Sequence, residues 1–196
     1  MRLEGRTVID EFPGTARRAP APRIAPGSVR DIGPINAALC SAIGLATPGR
    51  RPPHVFTTLA RHRRLFRAWL RFAGRLMPRG TLPRRDTELV ILRVSVTCGC
   101  DYEWGHHAVI GRRAGLRDEQ IARVAAGPDA EGWDEHERAL LRAVDELGRD
   151  HVIGEDTWQR LRARYDERQL VELCLLAGHY QMLAGALNSL GVQPDA

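Results

Sequence analysis

Residues 87–107 read TELVILRVSVTCGCDYEWGHH and decide how the chain folds. The apolar residues before Thr97 do not alternate strictly with polar ones, so they favour a buried helix over a strand. Gly99 then provides a break at which this helix can end and the chain fold back into a second one. The stretch therefore predicts two helices joined by a tight turn, with acidic, thiol and imidazole side chains on them.

The rest of the chain from Ile35 onward follows the same helical pattern, with apolar residues three and four positions apart and no strictly alternating stretch. We therefore predict an all-α fold. The predicted helices cover residues 35–44, 53–77, 84–98, 101–114, 117–126, 134–149, 155–164 and 167–190. The last of these is apolar around most of its circumference, which predicts a central position or a subunit interface.

Capping signals support several of these helices. Asp134 with Glu137, and Asp166 with Gln169, have the spacing in which two side chains cap the first turn of a helix. Glycines 115 and 191 fit helix ends.

The first part of the chain differs in composition from the rest. Residues 13–34 contain a set of prolines with few large apolar side chains between them, namely Pro13, Pro20, Pro22, Pro26 and Pro34. Such a segment is typical of an extended arm. A chain of 196 residues suits a single domain with extensions. We accordingly predict an N-terminal arm over residues 1–34 and one helical domain over residues 35–192.

Composition limits the chemistry and the partners. The chain has no lysine, which excludes a Schiff-base mechanism, and its net charge is +5. Arg64, Arg67, Arg71 and Arg75 form a basic stripe on one predicted helix, but no recognised nucleic-acid motif accompanies them. No apolar run reaches the roughly 18 residues that a membrane span needs. We expect a cytoplasmic protein that binds neither nucleic acid nor membrane.

Three side chains after the turn can act together. On a helix, Cys100, Glu103 and His107 lie three and four positions apart and share one face. Glu88, on the preceding helix, supplies a second carboxylate that could orient the imidazole. A cysteine at the amino end of a helix, beside an imidazolium, is favoured as the thiolate, whereas Glu103 opposes this by like charge.

The spacing of these residues resembles the signature of the alkyl hydroperoxidase D-like (AhpD-like) and carboxymuconolactone decarboxylase family. That signature is a glutamate, a cysteine twelve positions on, a second cysteine three further and a histidine four further, and Glu88, Cys100 and His107 match its first, second and last positions. Glu103 stands where the peroxidase branch has its second cysteine, and residues 102–104 (YEW) are similar to a branch without that dithiol. Residues 179–183 and 187–192 resemble the closing helix of the family.

The resemblance, which covers roughly residues 35–192, implies a compact AhpD-like helical bundle. It also implies a homo-oligomer, as a dimer, trimer or hexamer, with sites near subunit contacts. It implies no cofactor, a small-molecule substrate and, for a peroxidase, a thiol reductant.

Three functions fit these residues. The first is a thiol-dependent hydroperoxidase in which His107 and Glu88 activate Cys100, with Cys98 as a possible resolving thiol. The second is a cofactor-free lyase or isomerase in which His107 and Glu103 transfer protons on a small organic acid. The third is a non-catalytic oligomer that retains a relic of the site.

Further side chains are candidates for substrate binding or for the core. Candidate substrate-binding residues are Arg93, Tyr102, Trp104 and His106. We expect no metal site, because His106 and His107 are adjacent and point in different directions on a helix, and no second ligand pair completes a tetrahedral set. Cys40, Cys174 and His179 lie among apolar neighbours and are expected in the core.

Overall fold

The structure, a computed structural model, describes residues 11–45, 47 and 50–195, so the first ten residues of the predicted arm lie outside the described part. The described residues form ten helices and no strand. The helices are α1 Val29–Ile32, α2 Pro34–Gly44, α3 His54–Leu59, α4 Arg63–Leu76, α5 Arg84–Thr97, α6 Asp101–Arg113, α7 Asp118–Ala126, α8 Glu135–Arg149, α9 Glu155–Arg162 and α10 Glu167–Leu190. The predicted all-α class is confirmed.

Two elements differ from the prediction. The helix predicted over residues 53–77 is divided into α3 and α4, because His62 leaves the helical conformation at φ −91° and ψ 77°. Nδ1 of His62 accepts a hydrogen bond from the Leu65 N–H at 3.4 Å, which caps the start of α4. The short helix α1 lies inside the segment that was predicted to form the N-terminal arm.

The predicted caps are confirmed at α8 and α10. Asp134 accepts a hydrogen bond from the Glu137 N–H at 2.7 Å, and the Glu137 carboxylate accepts one from the Asp134 N–H at 3.0 Å. Asp166 and Gln169 make the same reciprocal pair at 2.9 and 3.1 Å. Reciprocal capping satisfies amides that the first turn of a helix leaves unpaired.

The chain divides into two compact units, and the predicted single domain over residues 35–192 stays a prediction. One unit contains residues 80–185 together with the chain up to residue 17, and in it α5 packs against α6, α7 and α8. Its apolar core includes Leu89, Trp104 and Leu141. The other unit contains residues 18–79 and the chain from residue 186 onward, with a core around Cys40 and Phe66.

Helix α10 is the longest helix of the described residues. Among these residues it is also the one helix that is long and apolar enough to cross a membrane, with a mean hydropathy of 1.4. Half of its most apolar stretch is buried inside the protein. Leu173, Leu176 and Ala177 are fully buried. The cytoplasmic location stays a prediction.

Candidate functional site

Helices α5 and α6 are joined by a turn of three residues that carries both thiols. Cys98 ends α5, Gly99 adopts the left-handed conformation at φ +62°, and Cys100 is the N-cap of α6. The Cys100 N–H donates to the Ser95 carbonyl at 2.8 Å. The left-handed residue reverses the chain within one position, so that α6 folds back on α5.

The imidazole of His107 lies between two carboxylates. Its Nδ1 is 2.6 Å from Oε2 of Glu88 on α5, and its Nε2 is 3.3 Å from Oε2 of Glu103 one turn earlier on α6. All three side chains are buried. The structure thus brings Glu88, Glu103 and His107 into one chain of ion pairs.

This arrangement sets the protonation state of His107. Burial alone would lower the pKa of the imidazole, but the charges of Glu88 and Glu103 and their hydrogen bonds outweigh burial and raise the pKa to about 9. At neutral pH the ring is therefore an imidazolium, which can give up a proton in a reaction.

Two further residues complete the group. A guanidinium nitrogen of Arg84 lies 2.9 Å from Oε1 of Glu88, and the ring of Tyr180 meets the His107 ring edge-on at 5.2 Å. Burial and the two nearby glutamates raise the pKa of Tyr180 well above its usual value, so the phenol stays neutral. The sequence reasoning missed both residues, although the four-residue spacing of Arg84 and Glu88 is a recognisable ion-pair signal.

Cys100 is fully buried, and its environment disfavours the thiolate. The pKa of the Cys100 thiol is raised to about 12, mainly by burial and then by the negative charge of Glu103. Asp101 and Cys98 raise this pKa further, whereas a hydrogen bond from the Glu103 backbone amide lowers it. The expectation that the helix start would favour a thiolate is therefore wrong for this conformation. Desolvation of a buried sulfur outweighs the helix dipole.

Cys98 is half-buried, and burial raises the pKa of its thiol as well. Neither cysteine of the turn is part of a disulfide.

The end of the N-terminal arm covers this turn. The Arg17 N–H donates to the Gly99 carbonyl at 2.8 Å, and the Phe12 ring meets the buried Trp104 ring edge-on at 6.2 Å. Residues 12–17 therefore lie across the surface of the turn that carries the two thiols.

Arg93 makes its contacts elsewhere. Its guanidinium forms a two-pronged ion pair with Asp145 of α8 at 2.7 and 2.8 Å and donates to the Val124 carbonyl at 2.9 Å. These bonds hold α5 against α7 and α8 and occupy the donors that a substrate anion would need. The structure does not bring Arg93 to the His107 group.

The other candidates lie close to the site in sequence but differ in their surroundings. Trp104 belongs to the apolar core, whereas the His106 ring lies against Tyr102 at 4.8 Å. His179 is buried, and burial lowers the pKa of its ring while the Glu103 charge opposes this.

The two cysteines that were expected in the core differ in burial. Cys40 is buried as expected, whereas Cys174 is half-buried. Among the residues that the structure describes, no group of three or more histidine, cysteine, aspartate or glutamate side chains is arranged to hold a metal ion.

Comparison with known proteins gives a match to one family profile over part of the chain and a shared fold. The sequence profile of the carboxymuconolactone decarboxylase family matches residues 63–146. No curated protein matches the chain significantly.

Three solved structures share the fold. An alkylhydroperoxidase AhpD core protein from Ralstonia eutropha JMP134 is 20% identical, with a TM-score of 0.75 and coverage of 88% of this chain and 93% of that one. A peroxidase-related protein from Silicibacter sp. TM1040 is 18% identical, with a TM-score of 0.74 and coverage of 98% and 96%. The debrominase Bmp8 is 16% identical, with a TM-score of 0.71 and coverage of 88% and 92%. At these identities the likeness establishes the AhpD-like helical fold.

Proposed function

The profile of the carboxymuconolactone decarboxylase family matches residues 63–146, and on that premise we propose that this chain is a member of the family and a thiol-dependent hydroperoxidase in which Cys100 reacts with the peroxide. The observation that carries the proposal is the chain of ion pairs from Glu88 through His107 to Glu103. Glu103 lies one helical turn after Cys100 and acts on the pKa of its thiol. The Glu103 carboxylate thus interacts both with the Cys100 thiol and with the His107 imidazolium.

The proton path follows from the protonated states of the Cys100 thiol and the His107 ring. Glu103 takes the proton of the Cys100 thiol as the sulfur attacks the terminal oxygen of the hydroperoxide. An S–O bond forms, the O–O bond breaks, and the departing alkoxide takes a proton from the His107 imidazolium. Glu103 then returns the thiol proton to His107 across 3.3 Å. The products are a sulfenic acid on Cys100 and an alcohol, and the site regains its charges.

Regeneration requires a second thiol. The Cys98 thiol, two residues away, attacks the sulfenic sulfur, an S–S bond forms and water leaves. An external dithiol then reduces the disulfide, so turnover depends on a thiol reductant. Since Cys100 is fully buried, the peroxide reaches it when residues 12–17 move off the turn.

Peroxide consumption by single variants tests the proposal. With cumene hydroperoxide and dithiothreitol, Cys100→Ser loses turnover, whereas Cys174→Ser, which removes a half-buried cysteine outside the site, keeps it. Mass spectrometry of Cys100 after peroxide, with dimedone present, detects the sulfenic acid. Peroxide consumption by Cys100→Ser at the wild-type rate overturns the mechanism.

A second candidate function rests on a different observation. Cys100 is fully buried with a thiol pKa of about 12, while the neighbouring imidazolium is ready to donate a proton. These features favour a cofactor-free lyase or isomerase, in which His107 and Glu103 transfer protons on a small organic acid such as a lactone that bears a carboxylate. Turnover of such a substrate that survives Cys100→Ser and is lost in His107→Gln identifies this function.

One probe separates the thiol chemistry from the choice of substrate. A cysteine-to-alanine variant of Bmp8 has been solved in complex with 2,3,4-tribromopyrrole, and this compound is therefore a test substrate besides hydroperoxides. If the protein debrominates this compound in a reaction that needs Cys100, and does not consume peroxide, then Cys100 remains the reactive thiol but the substrate is a brominated aromatic compound and not a hydroperoxide.

We propose that the enzyme is a homo-oligomer in which α10 contacts a second copy of the chain. Val171, Leu175 and Met182 lie on one face of α10 and are 61%, 49% and 56% exposed. Gly178 lies on the same face with open space above it, which lets another helix approach closely. We expect light scattering to show a dimer or larger assembly that Leu175→Arg dissociates. A wild-type monomer at micromolar concentration contradicts this.

A further inference from the structure

A second group of buried titratable side chains lies apart from the His107 site. Oδ2 of Asp86 accepts a hydrogen bond from the Tyr165 hydroxyl at 2.6 Å and lies 3.0 Å from Nε2 of His136. The rings of His136 and Tyr165 meet edge-on at 4.8 Å. The three residues come from α5, α8 and the turn before α10, and the proposed peroxidase reaction uses none of them.

The hydrogen bonds determine which nitrogen of His136 carries the proton. Because the Tyr165 hydroxyl donates its single proton to Asp86, the contact of Nε2 with that carboxylate requires an N–H on Nε2. In the neutral ring, Nδ1 is then an acceptor. Asp86 thus orients His136 as the carboxylate orients the imidazole in other acid–base sites.

His136 also lines an open groove of about 770 Å³ along one side of α9. The imidazole is 92% buried, since its side chain is 8% exposed, and its Nδ1 has no hydrogen-bond partner among the described residues. A buried acceptor without a donor is unfavourable. A ligand that supplies an N–H or O–H to it gains a hydrogen bond with little competition from bulk water.

The charged residues of the groove limit the chemistry of such a ligand. Arg160 forms an ion pair with Glu135, so these two charges neutralise each other. Arg164 and Asp156 also line the groove. Neither has an oppositely charged group within 4 Å among the described residues, and the Arg164 charge acts over a longer distance on Asp86, whose carboxyl pKa it helps to lower. The groove therefore offers the Arg164 cation, the carboxylates of Asp134 and Asp156, and the His136 acceptor.

We propose that this groove binds a small zwitterion of the amino-acid class. The ligand carboxylate accepts hydrogen bonds from the Arg164 guanidinium, and its ammonium group donates to Nδ1 of His136 and faces the negative charge of Asp156. A simple anion lacks the donor that His136 needs and is repelled by Asp156. A simple cation lacks a group for Arg164.

Three probes of nearly equal size test the proposal. L-Alanine carries both charges, L-lactate replaces the ammonium by a hydroxyl, and L-alaninamide lacks the carboxylate. We expect L-alanine to shift the NMR signals of the His136 ring saturably and to bind at least about tenfold more tightly than either analogue. Binding of L-lactate as tight as that of L-alanine overturns the zwitterion assignment, and no shift with any probe overturns the site.

Matched variants connect the binding to the groove. Arg164→Gln weakens L-alanine binding by about tenfold or more. Arg162→Gln, at the exposed last residue of α9 and outside the groove lining, leaves it unchanged. Equal affinity in both variants overturns the assignment. Binding in His107→Gln remains at the wild-type level, so the result does not depend on the proposed function of the other site.

Discussion

Nδ1 of His107 lies 2.6 Å from Oε2 of Glu88, although the two residues are 19 positions apart and belong to different helices. The pair is buried, and it ties α5 to α6 at the point where Glu103 meets the other ring nitrogen. Because two carboxylates share one imidazole, a change at either of them alters the charge of the ring.

Replacing the Glu88 carboxylate tests this control of the ring. Glu88→Gln removes the largest charge that raises the pKa of His107, so we expect that pKa to fall from about 9 by roughly one to two units, measured by NMR titration of the ring. Catalytic turnover falls by about a hundredfold, because the imidazolium is the proton donor. Glu119→Gln, an exposed change, is the control and alters neither quantity.

The stability of the protein is expected to fall at alkaline pH because of the same residue. The pKa of His107 is about 9 in the folded protein and about 6.5 in the unfolded chain, so the folded state holds more protons between these values. The stabilisation is complete below pH 6.5 and is lost as the pH rises through 9, by roughly 3 kcal/mol in total. Urea unfolding across this range measures it. His107→Gln should lack this fall, and an equal fall in the variant contradicts the assignment.

The two thiols of the turn should react at different rates. Iodoacetamide labels half-buried Cys98 before fully buried Cys100, as peptide mapping by mass spectrometry can show. Glu103→Gln removes a like charge that raises the pKa of Cys100 and therefore speeds its labelling. If Cys100 is labelled first in the wild-type protein, the thiol is not buried in solution.

Substitution of Gly99 tests whether residues 12–17 shield the two thiols of the turn. In Gly99→Ala the new methyl would lie 2.5 Å from Cγ of Arg17 and 3.0 Å from the Thr15 carbonyl oxygen, at a φ of +62°. We expect a loss of about 1 to 2 kcal/mol in the free energy of unfolding and faster labelling of Cys98, because residues 12–17 are displaced. Gly105→Ala on α6 has open space around the methyl and stabilises the helix by roughly 1 kcal/mol.

Arg93 should affect stability and not catalysis. Arg93→Met leaves the Asp145 carboxylate and the Val124 carbonyl without their donor, so the free energy of unfolding falls by about 3 kcal/mol. The kcat and KM of the folded variant remain those of the wild type. A raised KM with unchanged stability would show that this arginine binds substrate.

Much of the fold was predictable because helices depend on residues three and four positions apart. The capping pair of Asp134 and Glu137 and the left-handed Gly99 act within a few residues of chain, so the sequence alone indicates where helices begin and end. The same reasoning places Glu103 and His107 one turn apart. The break at His62 was missed, since neither glycine nor proline marks it.

Packing between distant segments decided the rest. The pairing of Asp86 with His136 and Tyr165 joins residues 50 and 79 positions apart, and no local pattern reveals it. The protonated state of Cys100 likewise depends on how completely the surrounding chain excludes water from the sulfur. The sequence by itself determined the all-helical class and the chemical groups of the site. The tertiary structure decided their charges and partners, because burial and ion pairing between helices exist only once the helices have packed.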